Sequence, residues 1–314
     1  MPSVLRVDHF ATRARSRLGR RQLSVRAQQL VFVATWLVPI MTLFLVFALL
    51  PIGIVVWLSF HRYDQLAPTS PFVGFSNYTY ALTEDPYFKN ALGNTLKFAT
   101  MGVIINLLAS LPIALGLNQI KRFAALFRIA FFMPAITSAV VVSLVWLPIY
   151  DPMGGWLNSL LRTLGLPGHS WLGDPSLALW AVLAATLWQD LGYNILVFLA
   201  GLQGIPEEFY DAAKVDGAGR WARFIHVTLP LLRRTLALVL VLTMIYYLQE
   251  FTHVWVMTSG GPIHSSETLV LYTYLKGFRD FRMGYAAALS VILMVIMFII
   301  TLVQLRVMRT RWEY

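Results

Sequence analysis

The sequence predicts an all-α, polytopic membrane bundle, and three observations carry that prediction. The 314-residue chain is 58% hydrophobic and only 13% charged, where a soluble domain carries roughly a quarter charged residues. Six apolar runs each reach the roughly twenty residues that a helix needs to cross the hydrocarbon core. Those runs are too long and too little alternating for barrel strands, which leaves helices as the structures able to satisfy their own backbone in lipid.

The first segment, residues 1–29, is rich in arginine at Arg6, Arg13, Arg15, Arg17, Arg20, Arg21 and Arg26. The span after it is too long for a signal peptide's apolar core, so this end is expected to be retained, although a mitochondrial presequence has similar composition. The spans are expected at about Leu30 to Leu58, Leu92 to Leu117, Leu126 to Tyr150, Leu177 to Gln203, Leu229 to Met257 and Gly284 to Val307. Proline and glycine within them, at Pro39, Pro51, Gly53, Pro112, Gly116, Pro134 and Pro148, are ordinary in membrane bundles, where they kink helices and permit close contact. Residues 30–309 are read as one transmembrane domain and 310–314 as a short tail, without repeats or linkers.

Lysine and arginine set the orientation. With the amino end inside, eighteen of the 25 basic residues fall on the inner side and seven on the outer, so both termini are expected to face the cytosol. The longer connections, Ser59 to Ala91 and Asp151 to Ser176, then lie outside, where they either receive a soluble partner or cap the helix ends. The net charge of +10 is explained by this topology and involves no basic groove or base-stacking platform, so no nucleic-acid partner is expected. Six scattered histidines and the absence of cysteine suggest no metal site, and each histidine reads as a solvent or interfacial residue.

Between spans four and five lies a polar stretch, residues 206–230. Pro206 offers a rigid first helical position, Glu207 and Glu208 place negative charge at a helix N-terminus, and Gly217 permits a reversal after Asp216. Two short helices follow, with Ala212 and Ala213 leaving room for close approach by a partner; the alternative is an interfacial helix resting on lipid headgroups.

The pattern D-A-A-x-x-D-G-A from Asp211 to Ala218, followed by Ile225, Leu229 and Pro230, resembles the EAA loop of binding-protein-dependent ABC importer permeases, although Asp211 replaces the usual Glu. The region from Asp151 to Trp188, Thr258-Ser259-Gly260-Gly261-Pro262, Glu267-Thr268-Leu269 and Met283 to Ala288 also resemble the sugar-type members, so the likeness runs from about Leu37 to Arg309. The resemblance implies the type I importer fold. It also implies a cytoplasmic coupling helix seated on an ATP-hydrolysing subunit, with Glu207, Tyr210, Asp211, Ala212, Ala213, Asp216, Gly217, Ala218, Phe224, Leu229 and Pro230 as the coupling residues. Implied partners are a second homologous permease, two copies of an ABC ATPase, a periplasmic or extracellular solute-binding protein and a carbohydrate, all in a bacterial or archaeal cell membrane. No cofactor is expected on this chain: it has no phosphate-binding loop of its own, and ATP and Mg would bind the ATPase.

Charged groups in mid-span are costly, so Asp190 and Glu250 should face a cavity or a partner. Helical spacing groups Asp190 with Tyr193 and Asn194, and Tyr246 with Gln249 and Glu250. Together with Gln189 and Tyr247 these form the expected substrate path, since rings and hydrogen-bonding groups suit a sugar; the alternative is that the acids clamp helices together. The rival cargo is glycerol 3-phosphate or a related phosphorylated polyol, whose phosphate needs cations that these faces lack. An integral membrane glycosyltransferase would need convergent acids, His or metal ligands at the membrane surface, and a channel would conduct without ATP.

Overall fold

A computed structural model describes residues 25–64, 69–120 and 124–308. The Arg-rich segment up to residue 24, Lys121, Arg122 and the tail 310–314 lie outside the described residues. Two compact units are present, one ending at Ile54 and one beginning at Val55. The first span runs through α1 (Val25–Phe44), a π-helical turn (Leu45–Leu49) and α2 (Leu50–Ser59).

The larger unit is a bundle of helices. After α3 (Ser76–Thr79) come α4 (Pro86–Gln119), α5 (Ala124–Ile136), α6 (Ala139–Ile149) and α7 (Trp156–Thr163). Next are α8 (Ala178–Gln203), α9 (Glu207–Val215), α10 (Arg220–Arg223), α11 (Leu229–Leu231), α12 (Arg233–Leu248), α13 (Thr252–Met257), α14 (Leu269–Tyr274) and α15 (Met283–Val307). Helix α8 is the core helix: its first half packs Leu183 and Val182 with Phe98, Val103 and Tyr247, and its second half packs Ile195, Phe198 and Leu202 with Ala114, Leu232 and Val239. A third cluster joins Phe88, Leu269, Tyr285 and Leu289.

Two of the expected spans are interrupted. The third bends by 100° between α5 and α6. Pro134 lies in the last turn of α5, and Ser138 leaves the helical region with ψ 137°. The fifth breaks between α12 and α13, where Gln249 and Phe251 are non-helical. The expectation of one continuous helix in each is therefore corrected. Both breaks free backbone groups inside an apolar layer, and side chains recover them: Gln189 Nε2 donates to the Thr137 carbonyl at 2.6 Å and Thr268 Oγ1 to the Glu250 carbonyl at 2.9 Å. Such recovery is what makes broken helices tolerable at membrane depth.

Helices α5 and α8 approach closely at Gly192, where an added Cβ would overlap the Phe131 carbonyl oxygen. Small residues at such crossings let membrane helices gain van der Waals contact. The connection Asp151–Ser176 is organised from within by the fully buried Asn158. Its amide donates to the His169 carbonyl at 2.8 Å and accepts from His169 N and from Trp171 Nε1 at 3.0 and 2.9 Å.

The clasp between α4, α14 and α15 is a single carboxylate. Asp85 precedes Pro86 and caps α4, accepting from Tyr87 N and Phe88 N at 3.0 and 3.2 Å, while its other oxygen accepts from Tyr272 Oη at 2.6 Å and Tyr285 Oη at 2.5 Å. Burial alone would raise this carboxyl, but the two tyrosine hydroxyls and two backbone amides together hold it below the usual carboxylate range. Because the folded value is the lower one, the contribution is complete above the unfolded value of about 3.9 and is lost as pH falls through the folded value. Asp85→Asn is expected to lower thermal stability in detergent by about 1–3 kcal/mol at neutral pH. Melting curves between neutral pH and about pH 3 should also show a shallower acid loss in the variant than in the parent chain.

Candidate functional site

The residues expected on the substrate path divide into two groups. Gln189, Asp190, Tyr193 and Asn194 of α8 line one cavity of about 440 Å³ together with Ala135, Leu242, Thr243 and Tyr246. Tyr193 and Tyr246 are 49% and 40% exposed, so their rings are free to meet a ligand, whereas Asn194 is almost wholly buried. The lining contains one acid and no lysine or arginine.

Tyr247, Gln249 and Glu250 are not on that wall. Tyr247 points into the core, Gln249 turns towards α15 with Nε2 3.4 Å from Met297 Sδ, and Glu250 is buried beneath α13. The expectation that Tyr246, Gln249 and Glu250 share a helical face is corrected, because the helix ends at Leu248 and the chain turns before Glu250. Glu250 instead accepts from the first turn of α13, from His253 N at 2.8 Å, and the same oxygen lies 3.0 Å from His253 Nδ1. His253 Nε2 reaches Gln189 Oε1 at 2.8 Å. His253, expected at solvent or an interface, is fully buried in a helix-to-helix tie.

Beneath the cavity a second network centres on Asn106 of α4. Its Nδ2 donates to Asp190 Oδ2 at 3.1 Å and to Tyr247 Oη at 3.0 Å, and its Oδ1 accepts from Asn194 Nδ2 at 2.7 Å. Asn194 also donates to Thr243 Oγ1 at 2.9 Å. Asp190 thus borders the cavity and also ties α8 to α4. Asn106, Thr137, Thr243 and His253 were missing from the expected site. Asn106 and His253 carried the same signal as Asp190, a polar group far inside an apolar run, but the sequence does not reveal that they face one another.

The loop at 206–230 forms the expected elbow. Helix α9 starts at Glu207, with Pro206 outside it at ψ 138°, one residue earlier than the expected helical position for proline. Gly217 adopts φ 78°, and the turn is closed by Gly217 N to Lys214 O at 3.0 Å and Ala218 N to Ala213 O at 2.8 Å. Those two bonds are a Schellman cap, which needs the left-handed residue that glycine supplies. Tyr210 is half-buried against Leu202 and Leu232, and its hydroxyl lies 3.1 Å from Thr228 Oγ1, which fastens α9 to the segment before α11. Glu207, Ala212, Asp216, Leu229 and Pro230 are exposed, while Ala213, Ala218 and Phe224 are partly buried. Asp211 pairs with Lys214 at 2.7 Å on the exposed face. Two apolar side chains not expected in the site stand out from the same elbow, Val215 at 88% and Trp221 at 72% exposure.

Interrupted spans around a cavity lined by aromatic and polar side chains, with a polar elbow between the fourth and fifth spans, are the architecture of a multi-pass membrane permease. Residues 88–311 match the model of the binding-protein-dependent transport system inner membrane component family, and the chain belongs to that family. It is 34% identical over 303 residues to the arabinooligosaccharides transport system permease protein AraP of Bacillus subtilis, covering 95% of this chain and 94% of that one. It is 31% identical over 291 residues to the sn-glycerol-3-phosphate transport system permease protein UgpA of Yersinia pestis, covering 90% and 97%. A crystal structure of a bacterial alginate ABC transporter, in complex with alginate pentasaccharide-bound periplasmic protein, superposes with a TM-score of 0.79 at 22% identity, covering 90% of this chain and 95% of that one. The fold is that of type I ABC importer permeases.

Replacing Asn106 with Leu removes a donor from the Asp190 carboxylate and leaves the Asn194 amide with its bond to Thr243 only. The variant is expected to lose about 2–4 kcal/mol of stability, read as a lowered melting midpoint in detergent, because unsatisfied buried groups cost more than the bonds they made contributed.

Proposed function

We propose that this chain carries a neutral carbohydrate across the membrane through the cavity between α8 and α12, driven by an ATPase docked on the elbow at 206–230. The carrying observation is the cavity's chemistry. Two exposed tyrosine rings, Tyr193 and Tyr246, stand beside the amide and carboxylate groups of Gln189 and Asp190, without a cation on the wall. Rings stack on the C–H faces of a sugar while amides and carboxylates take its hydroxyls.

A phosphorylated polyol is the second reading, favoured by the likeness to UgpA. A phosphate calls for an arginine or lysine fork, and within this chain's cavity there is none. The likeness to AraP, whose name specifies arabinooligosaccharides, favours the neutral cargo.

The elbow supports the coupling role through its surface. A rigid Schellman turn presents Val215 and Trp221 outward next to the small side chains Ala212 and Ala213, which suits a groove on a soluble subunit better than a free aqueous face. In this reading both termini and the elbow face the cytosol. ATP and Mg bind the ATPase, present in two copies; a second, homologous permease completes the translocation path, and a solute-binding protein delivers cargo on the opposite face.

Two outcomes test this. Tyr193→Ala is expected to cut ATP-dependent sugar uptake in reconstituted vesicles by roughly 3- to 10-fold, the loss of one stacking surface, with melting unchanged; undiminished uptake would remove Tyr193 from the path. Gly217→Val forces a β-branched residue to positive φ. It should abolish cross-linking from a cysteine at Val215 to the ATPase, along with cargo-stimulated hydrolysis. Cross-linking at parental levels in that variant would detach the elbow's shape from coupling.

A further inference from the structure

A second cavity lies in the larger unit, apart from the one between α8 and α12. It encloses about 550 Å³ on the opposite side of the bundle from the elbow, between the segment after α2 and the start of α15, with Arg62, Tyr63, Asn77, Tyr80, Arg282 and Tyr285 among its walls. Ser59 ends the first span and Met283 begins the last, so both arginines stand just beyond span ends. Headgroup phosphates lie at that depth.

Arg282 is held ready. Its guanidinium carbon sits 5.2 Å from the centre of the Tyr80 ring and 5.0 Å from that of Tyr285, and the two rings pack edge to face at 5.3 Å. Tyr285 is fixed in turn by its hydroxyl bond to Asp85. Stacking occupies the faces of the guanidinium and leaves its N–H edge for an anion. Among the described residues neither Arg62 nor Arg282 forms a salt bridge. Asp64 also lines the wall, so two guanidinium groups face one carboxylate and the balance favours a negative ligand.

The rim decides between sources of that anion. Phe72 and Phe75 are 72% and 69% exposed beside the pocket, Phe72 against His61 and Phe75 against Phe60. Large rings left exposed beside arginines at a span end match the membrane interface, where aromatic side chains sit among headgroups and acyl carbons. We propose that this pocket holds the phosphate of an anionic phospholipid, with Arg62 and Arg282 on the phosphate and the two phenylalanines against the acyl chains. The proposal rests on the position of the spans and is independent of the cargo.

The test is native mass spectrometry of the full chain purified with its assembly partners, after exchange into detergent containing phosphatidylglycerol or phosphatidylcholine. A retained phosphatidylglycerol is expected whose occupancy midpoint rises roughly 10- to 30-fold in R62A/R282A, at about 1 kcal/mol per basic side chain near an anionic surface. It should be unchanged in Lys89→Ala, a basic residue on the same face and outside the pocket. If the double alanine variant fails to assemble, R62K/R282K keeps the charges without the fork and should show a smaller rise in the same direction. Lipid retention identical to the parent in both double variants overturns the proposal. So does millimolar inorganic phosphate stabilising the parent but not the variant while lipid retention stays the same, which would assign the pocket to a free anion. Unaltered lipid retention with weakened docking of the solute-binding protein also overturns it, in favour of an acidic protein contact.

Discussion

Asn106 sets the arrangement at the centre of the bundle. One side-chain amide uses both donors and its acceptor on three residues from two other helices, Asp190 and Asn194 of α8 and Tyr247 of α12. In water such bonds are exchanged for others at small gain, but within an apolar layer each group left alone costs its full desolvation. The relative rotation of α4, α8 and α12 is therefore fixed by polar matching as much as by the apolar packing of Phe98, Leu183 and Ile195 around it. The cavity lies directly above this network and shares Asp190 and Asn194 with it, so the floor of the cavity and the main inter-helix tie are the same side chains.

A parallel solution operates at the broken spans. Gln189, His253 and Glu250 form a chain from the α5–α6 break to the start of α13. Gln189 lines the cavity and also recovers the Thr137 carbonyl, which again joins a wall residue to a structural bond. The Asp85 clasp does the same work at the far end for α4, α14 and α15, and it steadies the ring on which Arg282 rests.

Much of this was legible in the sequence. Span number, the all-α class and the elbow follow from apolar run length, helix-end chemistry and Gly217, because each is a local property. The α8 half of the cavity was legible too, since Asp190, Tyr193 and Asn194 lie on a regular helix where spacing determines facing. The α12 half was misjudged at Gln249 and Glu250, since periodicity holds only while the helix continues and no proline or glycine marks the stop at Leu248. His253 and Asn106 escaped for a different reason: their partners on other helices are 64 and 84 or more residues away along the chain, and facing across that distance is a tertiary fact. Val215 and Trp221 escaped because exposure of single apolar residues cannot be read from a chain whose lipid-facing surface is itself apolar.

The interruptions at Thr137–Ser138 and Gln249–Phe251 have a mechanical meaning. In an unbroken helix, tilting one half against the other ruptures several ladder bonds at once. Here the regular ladders are interrupted, and the carbonyls of Thr137 and Glu250 are taken up by the side chains of Gln189 and Thr268. A change of angle at either joint therefore loads two side-chain contacts and spares the rods themselves, which places the compliant points of an otherwise stiff molecule beside the chamber it encloses.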